Sequence, residues 1–136
     1  MAKYFRLLIV VLLFTSCSIN DTFEIEPSMS IDARLPKDKN GYYHLKLNPS
    51  SNQTIHTITG SIENINEPTK VLWWSNLVWY YNGEEVPTTN ISSYSNENGD
   101  FSNVIAPIYS MKGDTLIVNA IISKFNLIEK IEIVLE

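Results

Sequence analysis

One cysteine and two histidines in 136 residues exclude more chemistry than any motif here supplies. A lone cysteine cannot close an intramolecular disulfide or build a multi-cysteine metal site. His44 and His56 show no His-x-x-x-His spacing, and neither has a sequence neighbour that would make it a ligand or a general base; both are read as surface histidines on strands. Glycine is used only five times, and neither a phosphate-cradling loop nor a nucleophile elbow occurs. Charge is scarce at 18%, and its basic part is the smaller, with 10 Lys and Arg against 15 Asp and Glu. An acidic surface repels phosphate backbones, so no nucleic-acid partner is expected. Outside residues 7–14 there is no long uninterrupted aliphatic run, and no later segment has the 3.6-residue period of an amphipathic helix.

What the chain does have is 44% hydrophobic residues, enough for a packed core and too many for a disordered chain. Its length suits one domain, and a domain of this size buries roughly two-thirds of its unfolded surface.

The first 17 residues read as a targeting segment. Lys3 and Arg6 form a positive start, residues 7–14 an apolar stretch, and Thr15 and Ser16 precede Cys17. Eight apolar residues make about 12 Å of helix, far short of the roughly 30 Å needed to span a bilayer, so the segment is an export signal and not a membrane span. Phe14-Thr15-Ser16-Cys17 resembles the lipobox of bacterial lipoproteins, with Phe14 where Leu is usual. The resemblance implies a signal peptide over 1–16, cleavage before Cys17, and acylation of Cys17 as the new N-terminus. It also implies a place in the bacterial cell envelope, on the outer membrane, with the membrane as partner through the lipid anchor. Each buried CH₂ of such chains contributes about 0.8 kcal/mol. Removing Lys3 and Arg6 with the signal leaves 8 basic and 15 acidic residues, a net charge of −7. Residues 17–28 then form a lipidated cysteine and polar tether, ahead of a domain at 29–136.

From Met29 onward apolar residues recur with period two. Met29, Ile31, Ala33 and Leu35 alternate with polar residues, as do Tyr43, Leu45 and Leu47. Further strands are expected over 54–62, 71–81, 90–94, 101–106, 116–122 and 127–135. Turn signals separate them: Asn40-Gly41, Asn48-Pro49, Asn82-Gly83, Asn98-Gly99 and Gly113. About seven to nine short strands at this spacing describe an all-β antiparallel sandwich. The residue pattern of 55–122 resembles bacterial Ig-like domains of the invasin/intimin kind, through Thr59-Gly60-Ser61-Ile62, Glu67-Pro68, Val71-Leu72-Trp73, Asn98-Gly99 and Gly113-Asp114-Thr115. That resemblance implies an Ig-like module for binding, adhesion or scaffolding; transthyretin-like and fibronectin-type sandwiches share much of the pattern.

The 71–81 stretch, Val-Leu-Trp-Trp-Ser-Asn-Leu-Val-Trp-Tyr-Tyr, holds all three tryptophans. Its β-branched and aromatic residues suit a pleated surface. Both faces are apolar, which predicts a strand covered on both sides, and Ser75-Asn76 predicts a bulge or bend. Trp73 and Trp79 share the core-facing side, while Trp74 lies opposite. An exposed Trp/Tyr platform stacks on sugar rings or anchors a protein, which makes Trp74 and Tyr80 the candidate ligand-binding residues.

Two further clusters read as turns. Asn96-Glu97-Asn98-Gly99-Asp100 looks like part of a calcium loop, but aligning Gly99 with the sixth position puts Tyr94 first and Ile105 twelfth, where carboxylates are required. A hairpin turn accounts for the same residues. Glu84-Glu85 reads as a solvated turn, since adjacent strand residues point to opposite faces and could not share a proton. The sequence therefore predicts a lipid-anchored, non-catalytic Ig-like sandwich without cofactor or metal, engaging a protein or glycan partner. The rival, a small envelope enzyme, would need a pocket joining His44 or His56 to a carboxylate.

Overall fold

The computed structural model describes residues 24–136; the expected export signal, Cys17 and the first part of the expected tether lie outside these residues. The described chain is all-β, with ten strands: β1 Ser28–Asp32, β2 Tyr43–Leu45, β3 His56–Glu63, β4 Lys70–Ser75, β5 Val78–Tyr81, β6 Glu84–Pro87, β7 Ser92–Tyr94, β8 Asp100–Ile105, β9 Thr115–Ile122 and β10 Leu127–Leu135. The count exceeds the seven to nine expected. β6 accounts for the excess, because Glu84-Glu85 lies in a strand and not in a solvated turn. Asn82 and Gly83 both take positive φ, 51° and 83°, the backbone of a two-residue hairpin turn that sends the chain straight back along β5.

The strands form a three-stranded sheet in the order β1-β3-β8, a five-stranded sheet in the order β2-β10-β9-β4-β7, and a separate β5-β6 ribbon. Pairing is antiparallel except between β2 and β10. Strict alternation explains the core. Met29, Ile58, Ile62, Phe101 and Ile105 come from one sheet; Val71, Trp73, Leu116, Val118, Ala120, Ile122, Ile131, Ile133 and Leu135 come from the other, and all are buried in one cluster. The intervening residues of β3, Thr57, Thr59, Ser61 and Glu63, face away from it. Gly60 is the one core-side position of β3 without a side chain, and Phe101, its partner across the pair, takes the space. A Cβ on Gly60 would lie 2.3 Å from the Phe101 ring. Trp73 closes over the same ring at a centroid distance of 5.8 Å, and its Nε1–H donates to Ser93 Oγ at 2.8 Å.

The interruption after Ser75 is built from side-chain hydrogen bonds. Asn76 accepts from the Ile117 N–H through Oδ1 at 2.7 Å and donates through Nδ2 to the Thr115 carbonyl at 3.1 Å. Its amide thus continues the β4–β9 ladder while the backbone turns away, the local competition with regular structure that Asn favours. Thr88 Oγ1, buried, lies 2.8 Å from Ser75 Oγ and 2.9 Å from the Leu77 carbonyl, which fixes where the ribbon leaves and rejoins the sandwich.

The Asn96–Asp100 segment differs from expectation in one respect. It is not a hairpin turn, because β7 and β8 belong to different sheets. Asn96 Oδ1 accepts the N–H groups of Asn98 and Asp100, each at 2.9 Å, and Gly99, at φ 87°, carries the chain across.

Candidate functional site

β4 buries alternate residues only. Val71, Trp73 and Ser75 are buried, whereas Lys70, Leu72 and Trp74 are exposed. The expectation that both faces of the 71–81 stretch are covered is therefore wrong: among the described residues no layer packs on the outer face of the five-stranded sheet. Trp74 is 52% exposed and Trp73 5%, and the two lie on opposite faces as alternation requires.

Register places more on that outer face than the sequence alone could. Leu72 is opposite Ile121, and Ile121 is opposite Ile128, so three aliphatic side chains form one row across β4, β9 and β10. Partners in such a row sit about 4.5–5.5 Å apart at Cβ. Ile128 is 63% exposed and Leu72 39%. In the next row Trp74 is opposite Asn119, which is opposite Lys130. Tyr94, paired with Lys70, is exposed on the same face at the β7 edge. The Lys130 ammonium lies 2.6 Å from Glu132 Oε1, and that hydrogen bond, with the carboxylate charge, raises its pKa above the ordinary lysine value. β2 pairs with Ile133–Leu135 alone, so among the described residues the first half of β10, which carries Ile128, has no hydrogen-bonded strand on that side.

Tyr80, the second candidate residue, is exposed at 67% but belongs to the ribbon, not to this face. Trp74 and Tyr80 are thus held by different sheets. On the ribbon Tyr80 is opposite Glu85 and Tyr81 is opposite Glu84. Trp79, half-buried, packs its ring against the core and meets Tyr81 edge-on at 6.1 Å. Its indole N–H is buried and, among the described residues, has no acceptor.

The histidines have tertiary partners that their sequence neighbourhoods do not reveal. His44 Nδ1 is 2.6 Å from Glu136 Oε1, and Nε2 is 3.3 Å from Asp38 Oδ2. The hydrogen bonds to Glu136 and Asp38 raise the His44 pKa above its ordinary value. Desolvation acts to raise the Asp38 carboxyl, but the N–H groups of Tyr42 and Asn40 and the His44 ring outweigh it, and the net shift is downward. With both ring nitrogens engaged by carboxylates, His44 has no free nitrogen to offer a substrate as base or ligand. His56 Nε2 is bound to the Ala33 carbonyl at 2.5 Å. Among the described residues no group of three His, Cys, Asp or Glu side chains is arranged to hold a metal ion.

A groove of about 490 Å³ runs over the outer face of the three-stranded sheet, lined by Ser30, Asp32, Arg34, Thr59, Ser61 and Asp100 among others. Its polar groups largely answer one another: Arg34 Nε–H donates to Thr59 Oγ1 at 3.0 Å, Asp32 Oδ1 accepts from Arg34 N–H and the Tyr43 hydroxyl, and Ser30 and Ser61 share a hydrogen bond. It is a self-satisfied polar surface. The surface with unanswered apolar side chains is the outer face of the five-stranded sheet.

Sequence reasoning found Trp74 and missed Leu72, Ile121, Ile128 and Tyr94 as residues of the same face. The signal available was that 116–122 carries isoleucines on both sides, Ile117 and Ile121 beside Leu116, Val118 and Ile122; which strands stand next to one another was not available. Comparison with known protein families, with curated proteins and with solved structures gives no match to this chain.

Proposed function

We propose that this chain is a lipid-anchored, non-catalytic binding module of the bacterial envelope, tethered through Cys17 and engaging a protein partner with the outer face of its five-stranded sheet. The observation that carries the reading is the Leu72–Ile121–Ile128 row, which runs up to a stretch of β10 that no strand of the described residues pairs with on its far side. A protein segment meets both demands of such a surface. Its own apolar side chains continue the row, and its backbone can pair with the open edge, as in strand addition. A sugar satisfies neither, since its hydroxyls would be desolvated against aliphatic side chains.

A glycan is the second reading, and one observation favours it: Trp74 shares a row with Asn119 and Lys130, an exposed ring beside amide and ammonium donors. The Ig-like assignment draws support from strand order. β1-β3-β8 and β10-β9-β4 follow the A-B-E and G-F-C orders of immunoglobulin sandwiches. The enzyme alternative is the weaker one, because His44 is flanked by carboxylates at both nitrogens.

A photocrosslinking residue at position 128 tests the reading in cells that make the full chain. One discrete protein adduct is expected, absent when the probe sits at Ser102 on the opposite sheet and lost when Leu72→Ser or Trp74→Ser is added. Equal adducts from both positions, or adducts insensitive to the serine variants, would reject the protein reading. Retention on a polysaccharide affinity gel that disappears in Trp74→Ser would put the glycan in its place.

A further inference from the structure

We propose that Asn82 is a site of spontaneous covalent modification, at which the ribbon turn converts asparagine to aspartate or isoaspartate. The chain has three Asn-Gly steps, at Asn40, Asn82 and Asn98. Glycine after asparagine leaves its amide nitrogen sterically open to the asparagine side chain. The reaction needs no enzyme. The Gly83 amide nitrogen attacks the Asn82 side-chain carbonyl carbon, the C–N bond to the side-chain amide breaks, and ammonia leaves with the transferred proton. Water then opens the five-membered imide at either carbonyl. One opening leaves aspartate and the other leaves isoaspartate, with the backbone routed through the side chain.

The structure sets the three steps apart. At the first, Gly41 N–H donates to the Asp38 carbonyl at 3.1 Å, while Asn40 N–H and Tyr42 N–H both donate to Asp38 Oδ1, at 2.8 and 3.0 Å. The nucleophilic nitrogen and the residues on either side are pinned. At the third, Gly99 N–H donates to the Asn96 carbonyl at 3.1 Å, the Gly99 carbonyl accepts from Ile62 N–H at 2.9 Å, and Asn96 Oδ1 holds Asn98 and Asp100. Gly99 is also buried, and a Cβ there would lie 2.0 Å from the Ile62 carbonyl oxygen, so the backbone has no room to rotate.

At Asn82 these restraints are missing. Among the described residues no backbone carbonyl accepts from the Gly83 N–H, and at Gly83, as at Gly41 but unlike Gly99, nothing lies within 4 Å of the position a Cβ would take. The turn closes a ribbon that pairs with neither sheet, and isolated two-stranded ribbons are the part of a fold that opens most readily. The Asn82 ψ can therefore swing into the attacking geometry at the cost of little besides the turn itself. The product matters to the surface around it. Either product adds a carboxylate next to Tyr81 and Glu84, and isoaspartate lengthens a two-residue turn by one backbone atom, which disturbs the pairing of Tyr81 with Glu84 and the presentation of Tyr80.

The test is a time course of the purified full chain, kept folded at mildly alkaline pH and mapped by peptide mass spectrometry at all three positions. Conversion at Asn82 is expected to run roughly tenfold or more ahead of Asn40 and Asn98, since each retained hydrogen bond must first be broken at those sites. In concentrated urea the three rates should draw together. Equal rates in the folded protein, a lead for Asn40 or Asn98, or no conversion at Asn82 while the unfolded chain converts would each refute the assignment. Circular dichroism before and after the incubation verifies that the folded sample stayed folded.

Discussion

His44 and Glu136 are 92 residues apart in the chain, yet His44 Nδ1 lies 2.6 Å from Glu136 Oε1. Asp38 approaches the other ring nitrogen, and next to them Glu136 N–H donates to the Leu45 carbonyl while Leu47 N–H donates to the Glu136 carbonyl. The ion pairs therefore clamp the parallel β2–β10 contact, where only three residue pairs carry the ladder.

The clamp gives stability a pH dependence whose sign can be worked out. The His44 pKa is raised above 6.5 in the folded chain, so its contribution is complete below about that value and is lost as pH rises through the higher folded value. The Asp38 pKa is lowered from 3.8, so its contribution is present above that value and lost as pH falls through the folded one. Thermal melts should show the clamp strongest between these limits. His44→Gln should lower the melting temperature most at about pH 5.5, and by progressively less as the pH rises through the raised folded value. An equal loss across that range would mean that packing, not the charged ring, is what the variant removed.

The three tryptophans should separate in urea unfolding. Trp73→Ala removes a buried ring, its contact with Phe101 and its bond to Ser93, and should cost about 3–5 kcal/mol. Trp74→Ala, on the outer face, should fall within about 0.5 kcal/mol of the parent. Trp79→Phe should be tolerated better than Trp79→Ala, because it keeps an aromatic ring against the core and removes an indole N–H that has no acceptor among the described residues. If Trp74→Ala matches Trp73→Ala in cost, the outer face is covered and the docking surface is lost.

Gly99→Ala and Gly113→Ala form a matched pair. Both glycines have positive φ, 87° and 96°, so both variants carry the left-handed strain of roughly 1–2 kcal/mol. Only Gly99 adds a collision, with the Ile62 carbonyl oxygen 2.0 Å from the new Cβ. Gly99→Ala should be clearly the more damaging when their chemical denaturation midpoints are compared, and similar midpoints would show that the β7–β8 crossing yields more easily than its geometry suggests.

Cys17→Ser should convert a membrane-bound protein into an unprocessed precursor or a soluble form. Detergent phase partitioning with acyl labelling reads this directly. A wild-type chain that takes up no acyl label and partitions as the variant does would remove the lipid anchor from the proposal.

Most strands were legible because alternation is a local signal. Leu116, Val118, Ala120 and Ile122 declare one face of β9, and Ser75-Asn76 declares the break in the 71–81 stretch, whose hydrogen bonds to Thr88 and β9 fit that reading. β6 was not legible, since Glu84-Glu85-Val86-Pro87 has no apolar face of its own and is a strand only because Asn82-Gly83 returns it against β5. The crossing at Asn96–Asp100 escaped for a similar reason: an Asn-Gly turn has the same local chemistry whether the strands it joins share a sheet or not.

By itself the sequence determined which side chains share a face, because in an extended chain neighbouring residues must point to opposite faces; that Trp73 and Trp74 lie on opposite sides follows from that alone, while the outer face being left open does not. It also carried the lipobox-like segment ending at Cys17 and the turn chemistry of Asn82-Gly83. Only the tertiary structure decided which strands are neighbours. Pairing register is set by the packing of the two sheets over one core, a long-range balance that no local run of residues encodes, and it brings Leu72, Ile121 and Ile128 into one row and Asp38, His44 and Glu136 into one clamp.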